Sequence, residues 1–183
     1  MELTKEILED LFNELFPGLS ILVRDINLTS EEMAPYKVGQ IIRVPFFTDA
    51  SWRVGGMVTT HRYAILSNHF RDFGSIDDKN WGLVVAPRGA RFKVMDIFEF
   101  AGKTQITLLH LPDDARWEIF KVLQTNYDQK LVDMSRDCMN RKCLLDPIPE
   151  LATEEWLERC SLPLGTFSDN SLVPIEDNET ELN

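Results

Sequence analysis

The sequence is short of basic residues: 19 lysines and arginines stand against 30 aspartates and glutamates, a net charge of −11. A free-standing nucleic-acid binder draws most of its affinity from neutralising phosphates, so nucleic acid is not an expected partner. An anionic membrane surface is excluded on the same ground. Cysteine is also scarce. Cys138, Cys143 and Cys160 form an odd, irregularly spaced set in the last third of the chain. That is not a disulfide framework, and it predicts a reduced, cytoplasmic protein. The apolar runs are a few residues long, far below the roughly 20 that span a bilayer. The opening residues, Met1 to Glu6, lack a basic segment followed by an apolar one, so no signal peptide is expected.

Motifs are missing too. There is no G-x-S-x-G and no H-E-x-x-H. Arg53-Val54-Gly55-Gly56-Met57 lacks the order of a phosphate-binding loop. Ala101-Gly102-Lys103-Thr104 has the Gly-Lys-Thr but neither the earlier glycine nor the following helix, and reads as a hairpin turn. No internal repeat or low-complexity segment is visible.

What is present is an ordinary globular composition, 44% hydrophobic and 27% charged over 183 residues. A chain of that length buries a core without a metal or disulfide staple. One domain over residues 1–175 is expected, with a disordered acidic tail over 176–183. Charge is unevenly spread. Residues 1–35 carry eight acids and two bases, net −6, whereas residues 36–110 carry six acids and ten bases, net +4.

Ile7, Leu8, Leu11, Phe12, Leu15 and Phe16 recur at helical spacing from about Lys5, with Thr4 as N-cap and Pro17-Gly18 as a stop. Leu19 to Asn27 reads as a strand. Thr29 and Glu32 have the spacing of a capping box. The period then shifts towards two. Strands are expected over Val38–Phe47, Trp52–Val58, Thr60–Phe70 and Trp81–Ala86, with a hairpin of Arg91–Phe100 and Gln105–Leu111. In the first arm of that hairpin Phe92, Val94, Phe98 and Phe100 share a face, interrupted by Asp96. Trp117, Phe120, Leu123, Tyr127, Leu131, Met134 and Cys138 predict one long helix over about 114–140, with Asp113 as N-cap. Thr153–Cys160 is a short capped helix. Strands followed by helices predict an α+β fold: a mainly antiparallel sheet of about five to seven strands, covered by the N-terminal helix and the long C-terminal helix.

Candidate chemistry is thin. His61 and His69 lie eight residues apart, about 26 Å along an unbroken strand, too far to share a metal. His110 precedes Asp113 and Asp114 and could pair with a carboxylate. Cys138 and Cys143 have wider spacing than a zinc pair, and Cys160 brings no histidine with it. Buried free thiols are the simpler expectation, and neither metal nor cofactor is expected. Arg43, Arg53, Arg62, Arg71, Arg88, Arg91 and Lys93 alternate with aromatic residues and are expected to pair with the chain's own acids.

The sharper expectation comes from the acids. Glu6, Glu9, Asp10 and Glu14 mark one face of the first helix, and Asp128, Asp133 and Asp137 mark the long one. They predict a docking surface for a basic protein partner. By analogy of size and acidity, the expectation is a non-enzymatic, immunity-type inhibitor of a toxin. The alternative is a small enzyme or ligand-binding domain with a pocket at the sheet, built from Trp52, Arg53, His61, Arg62, Tyr63 and His69. A structural subunit, with an apolar strip at 161–175, is a third class.

Overall fold

A computed structural model describes residues 5–121, 126–165, 167–168 and 171–172. The expected acidic tail, 176–183, lies outside the described residues. The amphipathic start forms α1 (Lys5–Leu15), ending before Pro17. It leads into β1 (Ser20–Ile26). Thr29 then caps α2 (Ser30–Met33) with both bonds of a capping box in place.

Seven further strands join β1 in one sheet: β2 (Ile41–Arg43), β3 (Thr48–Ser51), β4 (His61–Ser67), β5 (Arg71–Asp72), β6 (Leu83–Ala86), β7 (Arg91–Phe100) and β8 (Lys103–His110). Their spatial order is β2-β7-β8-β4-β1-β3-β6-β5. β7 and β8 pair as the expected hairpin, but β4 and β8 run parallel, from His61 opposite Thr104 to Leu66 opposite Leu109. The expected mainly antiparallel sheet of five to seven strands is therefore corrected to a mixed sheet of eight. The parallel step arises because the chain leaves the end of β4, builds β5, β6 and β7 at both flanks, and only then returns. Periodicity within a strand carries no information about that return.

The covering helices also differ. The expected helix over 114–140 is a 3-10 segment over Ala115–Lys121 and a separate α3 (Asn126–Lys142). Trp117 and Phe120 are buried as expected, whereas Met134 is exposed. Leu131 is buried as expected, but the other buried positions along α3 are Val132, Ser135 and Met139, with Cys143 just past its end, in place of Met134 and Cys138. Changing helix type before α3 shifts the phase, so a stripe counted through it drifts off the buried face. Leu123 lies outside the described residues. A second 3-10 turn (Pro149–Ala152) leads into α4 (Glu154–Arg159), capped by Thr153 as expected. A small ribbon of β9 (Phe167–Ser168) and β10 (Ser171–Leu172) follows.

The sheet is buried on both faces. One face joins Leu22, Tyr63, Ile65, Phe92, Ile106 and Leu108 to α2 and to Leu164 of the C-terminal strap. The opposite face joins Leu66, Met95 and Leu109 to Phe12 and Phe16 of α1, to Trp117 and Phe120, and to Leu131 of α3. A bulge at Met95 explains Asp96. The register steps from Val94–Leu108 to Asp96–Thr107, so the residues after the bulge change faces. Asp96 thereby meets Arg136 of α3 in a two-pronged pair, at 2.7 Å on each prong. No helix of the described residues is long and apolar enough to cross a membrane.

Candidate functional site

The parallel pair β4–β8 ends its two strands side by side, at Ser67 and His110. Three side chains meet there. Ser67 Oγ lies 2.9 Å from His110 Nδ1 and accepts the backbone N–H of His69 at 3.2 Å. The His69 and His110 rings stack, with centroids 3.7 Å apart and planes 16° apart. Phe92 stacks on His110 at 4.9 Å, and Phe70 meets it edge-on at 5.1 Å. The His110 ring is thus held in an aromatic clamp and fully buried.

Each ring spends one nitrogen on its neighbours. His69 Nδ1 lies 2.9 Å from Asn68 Oδ1, so the amide oxygen accepts and Nδ1 carries the proton. His110 Nδ1 is committed to Ser67. The Nε2 atoms of both rings are buried and lack a hydrogen-bond partner among the described residues. Buried polar atoms are nearly always paired, so two orphans in one place stand out, His110 the more plainly because the Leu111 backbone lies close enough to His69 to support its charged form. Burial holds both rings neutral. It depresses His69 below the ordinary histidine range and brings His110 down to about 3, with its His69 neighbour adding to the effect.

The pair borders a cleft of about 520 Å³ lined by Glu14, Leu15, Pro17, Asn68, His69, Pro112, Asp113, Asp114 and Arg116. Asn68 Nδ2 donates to the carbonyls of Leu15 and Pro17, fixing the end of α1 as the opposite wall. Three carboxylates and one guanidinium line it, a net −2. Arg116 is paired with Asp114 at 2.6 Å and reaches Glu14 at 4.0 Å. That leaves Asp113 as the carboxylate nearest the imidazoles. Among the described residues, His69, His110 and Asp113 are the one group of three metal-capable side chains whose ligand atoms lie within 4.8 Å of one another. Across Ser67 and Asn68 a second cleft of about 320 Å³ opens, with the exposed Trp52 on its wall. Trp52 packs over Gly82, where a Cβ would stand 3.0 Å from the indole and where φ is +64°.

The sequence-derived pocket residues fall in five places. His69 lines the larger cleft and Trp52 the smaller one. Arg53 bonds the Asn80 carbonyl and pairs with Glu150 at 3.3 Å. Arg62 and Tyr63 are buried, Arg62 on Asp25 at 2.6 Å and Tyr63 on the Tyr36 hydroxyl at 2.6 Å. His61 sits at the far end of β4, where Nδ1 accepts the Leu28 N–H. Burial raises the Tyr63 hydroxyl to about 12, so it stays protonated. His110 and Ser67 were not in the expected pocket. Nothing in the chain between them, 43 positions apart, signals that they meet; only the parallel pairing brings them together.

The acids of the expected docking surface are dispersed. Asp10 is exposed; the side chains of Glu6 and Glu9 lie outside the described residues. Glu14 faces Arg116, Asp133 accepts from Gln129 at 2.7 Å, and Asp137 pairs with Arg141 at 2.8 Å. Asp128 is half-buried near Lys93, whose ammonium is disfavoured by burial and only partly supported by the Asp128 charge. The three cysteines are free thiols; Cys143 and Cys160 are buried and Cys138 is half-buried. Burial pushes the Cys160 thiol up to about 12, which makes it a poor nucleophile or ligand.

No family model matches the sequence, and no curated protein matches it. Solved structures do. The type III effector XopAI from Xanthomonas axonopodis pv. citri is 16% identical, with 53% of this chain and 43% of that chain covered and a TM-score of 0.45. The ADP-ribosyltransferase HopU1 of Pseudomonas syringae pv. Tomato is 14% identical, over 51% of this chain and 45% of that one, at a TM-score of 0.46. The catalytic domain of VahC from Aeromonas hydrophila is 20% identical, over 58% of this chain and 68% of that one, at 0.44. The chain spans less than half the length of the first two. The expectation of a non-enzymatic immunity protein or toxin inhibitor is withdrawn: none of these three solved structures is described as such a protein.

Proposed function

We propose that this chain is a small enzyme or ligand-binding domain whose site is the cleft beyond the ends of β4 and β8. The observation that carries the reading is the pair of stacked, neutral imidazoles with unpartnered Nε2 atoms at the wall of a 520 Å³ cleft. A neutral imidazole held by a second-sphere hydrogen bond accepts a proton or a ligand bond with little reorganisation. His69 is the group at the cleft wall. His110, Ser67 and Asn68 position it, and Asp113 sets a negative potential beside it. The net −2 lining favours ligands that carry positive charge or come with a cation. The free thiols agree with a reducing compartment, and we propose the cytoplasm.

The test is nuclear magnetic resonance mapping of the full chain against a fragment library rich in cationic fragments, to match the net −2 lining. Shift changes should concentrate on Asn68, His69 and residues 112–116, and His69→Gln should abolish them. Ligands that map only to other surfaces, or a library that leaves these residues unmoved at millimolar concentration, would overturn the reading.

A further inference from the structure

A buried histidine satisfied at one nitrogen and orphaned at the other is half of a metal ligand. This cleft holds two, with a carboxylate beside them. We infer that His69 Nε2, His110 Nε2 and the Asp113 carboxylate form a binding site for a divalent transition-metal ion of the zinc type, open to the cleft on its remaining side. The inference deepens the reading of this cleft as a functional site and rests on it.

Three observations support the assignment. First, metal-bound histidines characteristically commit their other ring nitrogen to a side-chain or backbone oxygen, which fixes the tautomer and aims the lone pair. His69 does so through Asn68 Oδ1 and His110 through Ser67 Oγ. Ser67 Oγ also accepts the His69 N–H, and its two lone pairs suffice for both bonds. Second, His110 is completely buried with Nε2 unpartnered, a state that a metal bond would satisfy. Third, the donor set is two imidazoles and one carboxylate. That combination suits zinc with a fourth, exchangeable position, and related transition ions.

The spacing asks for closure and for one ring to turn. One ligand atom of each side chain lies within 4.8 Å of the other two, whereas ligand atoms on a tetrahedral zinc stand about 3.3 Å apart. The widest gap therefore closes by up to about 1.5 Å, and, because each lone pair lies in its ring plane, one imidazole must rotate out of the His69–His110 stack for both to reach one ion. His110 is clamped and cannot supply that motion. His69, half-buried, and Asp113, exposed, can. The ion then lies at the cleft wall with its open position facing the space between Asn68 and Arg116. There it would polarise a bound oxygen or lower the pKa of a bound water.

The experiment is zinc titration of the chelator-treated full chain, read by calorimetry and by long-range proton–nitrogen spectra of the three histidines. One equivalent should bind, the Nε2 resonances of His69 and His110 should shift, and those of His61 should stay fixed as an internal control. Asp113→Asn and His69→Gln, both conservative and outside the core, should each weaken binding at least tenfold while leaving the fold intact by circular dichroism. Cobalt as a probe should give tetrahedral absorption bands that the same variants remove. Zinc weaker than about 0.1 mM, zinc bound equally by both variants, or shifts confined to His61 or the cysteines would overturn the site. The two readings separate cleanly. Fragments that map to the cleft with no zinc bound defeat the metal alone, and zinc without fragment binding defeats the ligand pocket alone.

Discussion

The buried polar groups at the two ends of the paired β4 and β8 behave in opposite ways. Where α3 and the loop after β3 cover the sheet, polar groups meet matched partners. Arg62 makes two bonds to Asp25, at 2.6 and 2.8 Å, and one to the Gly55 carbonyl. Gln105 and Thr107 share Ser135, and Asp96 holds Arg136. At the other end of the same strands, His69 and His110 each leave a nitrogen unanswered. The first region is closed by the protein itself and reads as structure. The second is completed only by something that comes from outside. A buried polar atom tells little; its unmatched state is the informative part.

The sharpest way to break this contrast is to open the closed region. Arg62→Met strands Asp25 and the Gly55 carbonyl in a largely buried site. It should lower unfolding free energy by about 3–5 kcal/mol in urea titrations, whereas adding Asp25→Leu should recover most of the loss. A loss under 1 kcal/mol would mean that the matched region contributes no more than a surface pair.

The open region should announce itself through pH. His110 is held down to about 3, against about 6.5 when unfolded. Between those values the unfolded chain binds the extra proton, so stability is full above about pH 6.5 and falls as pH drops. His69 is lowered too and acts in the same direction. Stability should fall by about 2 kcal/mol on going from pH 7 to pH 5, beyond the loss shown by a His110→Gln variant. Equal slopes in the two proteins would locate the proton uptake elsewhere. A zinc-loaded sample should lose still more on acidification, because the proton and the metal compete for the same nitrogens.

The same division governed what could be read from the amino acids alone. The closed region left local traces: β7 and β8 announced themselves by alternation, the helix starts by Thr29 and Thr153, and Asp96 by breaking an apolar face. Even there the bulge at Met95 was invisible, because one inserted residue changes faces without changing composition. Trp117 and Phe120 were legible as core, but the phase of α3 was not, because the count ran through the change of helix type. The open region left almost nothing. His69 stood out only as one of three histidines and was matched with His61, at the wrong end of β4. Its actual partner, His110, arrives through parallel pairing across 41 residues, and single-strand periodicity is blind to that. The immunity-type reading leaned on net charge, which does not say which acids are free: Asp25, Asp49 and Asp96 are answered internally by Arg62, Arg159 and Arg136.

Ser135→Ala probes the closed region more gently. It removes the hydroxyl that Gln105 and Thr107 share, but the Ser135 carbonyl still accepts from Gln105 at 3.1 Å. The expected loss is therefore about 1–1.5 kcal/mol, the net worth of one ordinary hydrogen bond. A loss as large as that of Arg62→Met would show that the hydroxyl organises the whole α3 contact.

The smallest stability effect should come from the residue given most to do. Asp113 is exposed, and the described structure gives it no hydrogen bond or ion pair that anchors the fold. Asp113→Asn should change unfolding free energy by no more than about 0.5 kcal/mol in the absence of metal. Removing a negative charge beside two neutral imidazoles should, if anything, favour the native state slightly in the chelated protein. With zinc present the comparison reverses. Wild type gains stability in proportion to the logarithm of metal over its dissociation constant, and the variant, binding at least tenfold more weakly, gains at least about 1.4 kcal/mol less at saturating ion. Thermal unfolding of both proteins with and without zinc therefore isolates the role of this one carboxylate. Parallel shifts on adding zinc would remove Asp113 from the open region, and a loss of stability already present in chelator would return it to the closed one.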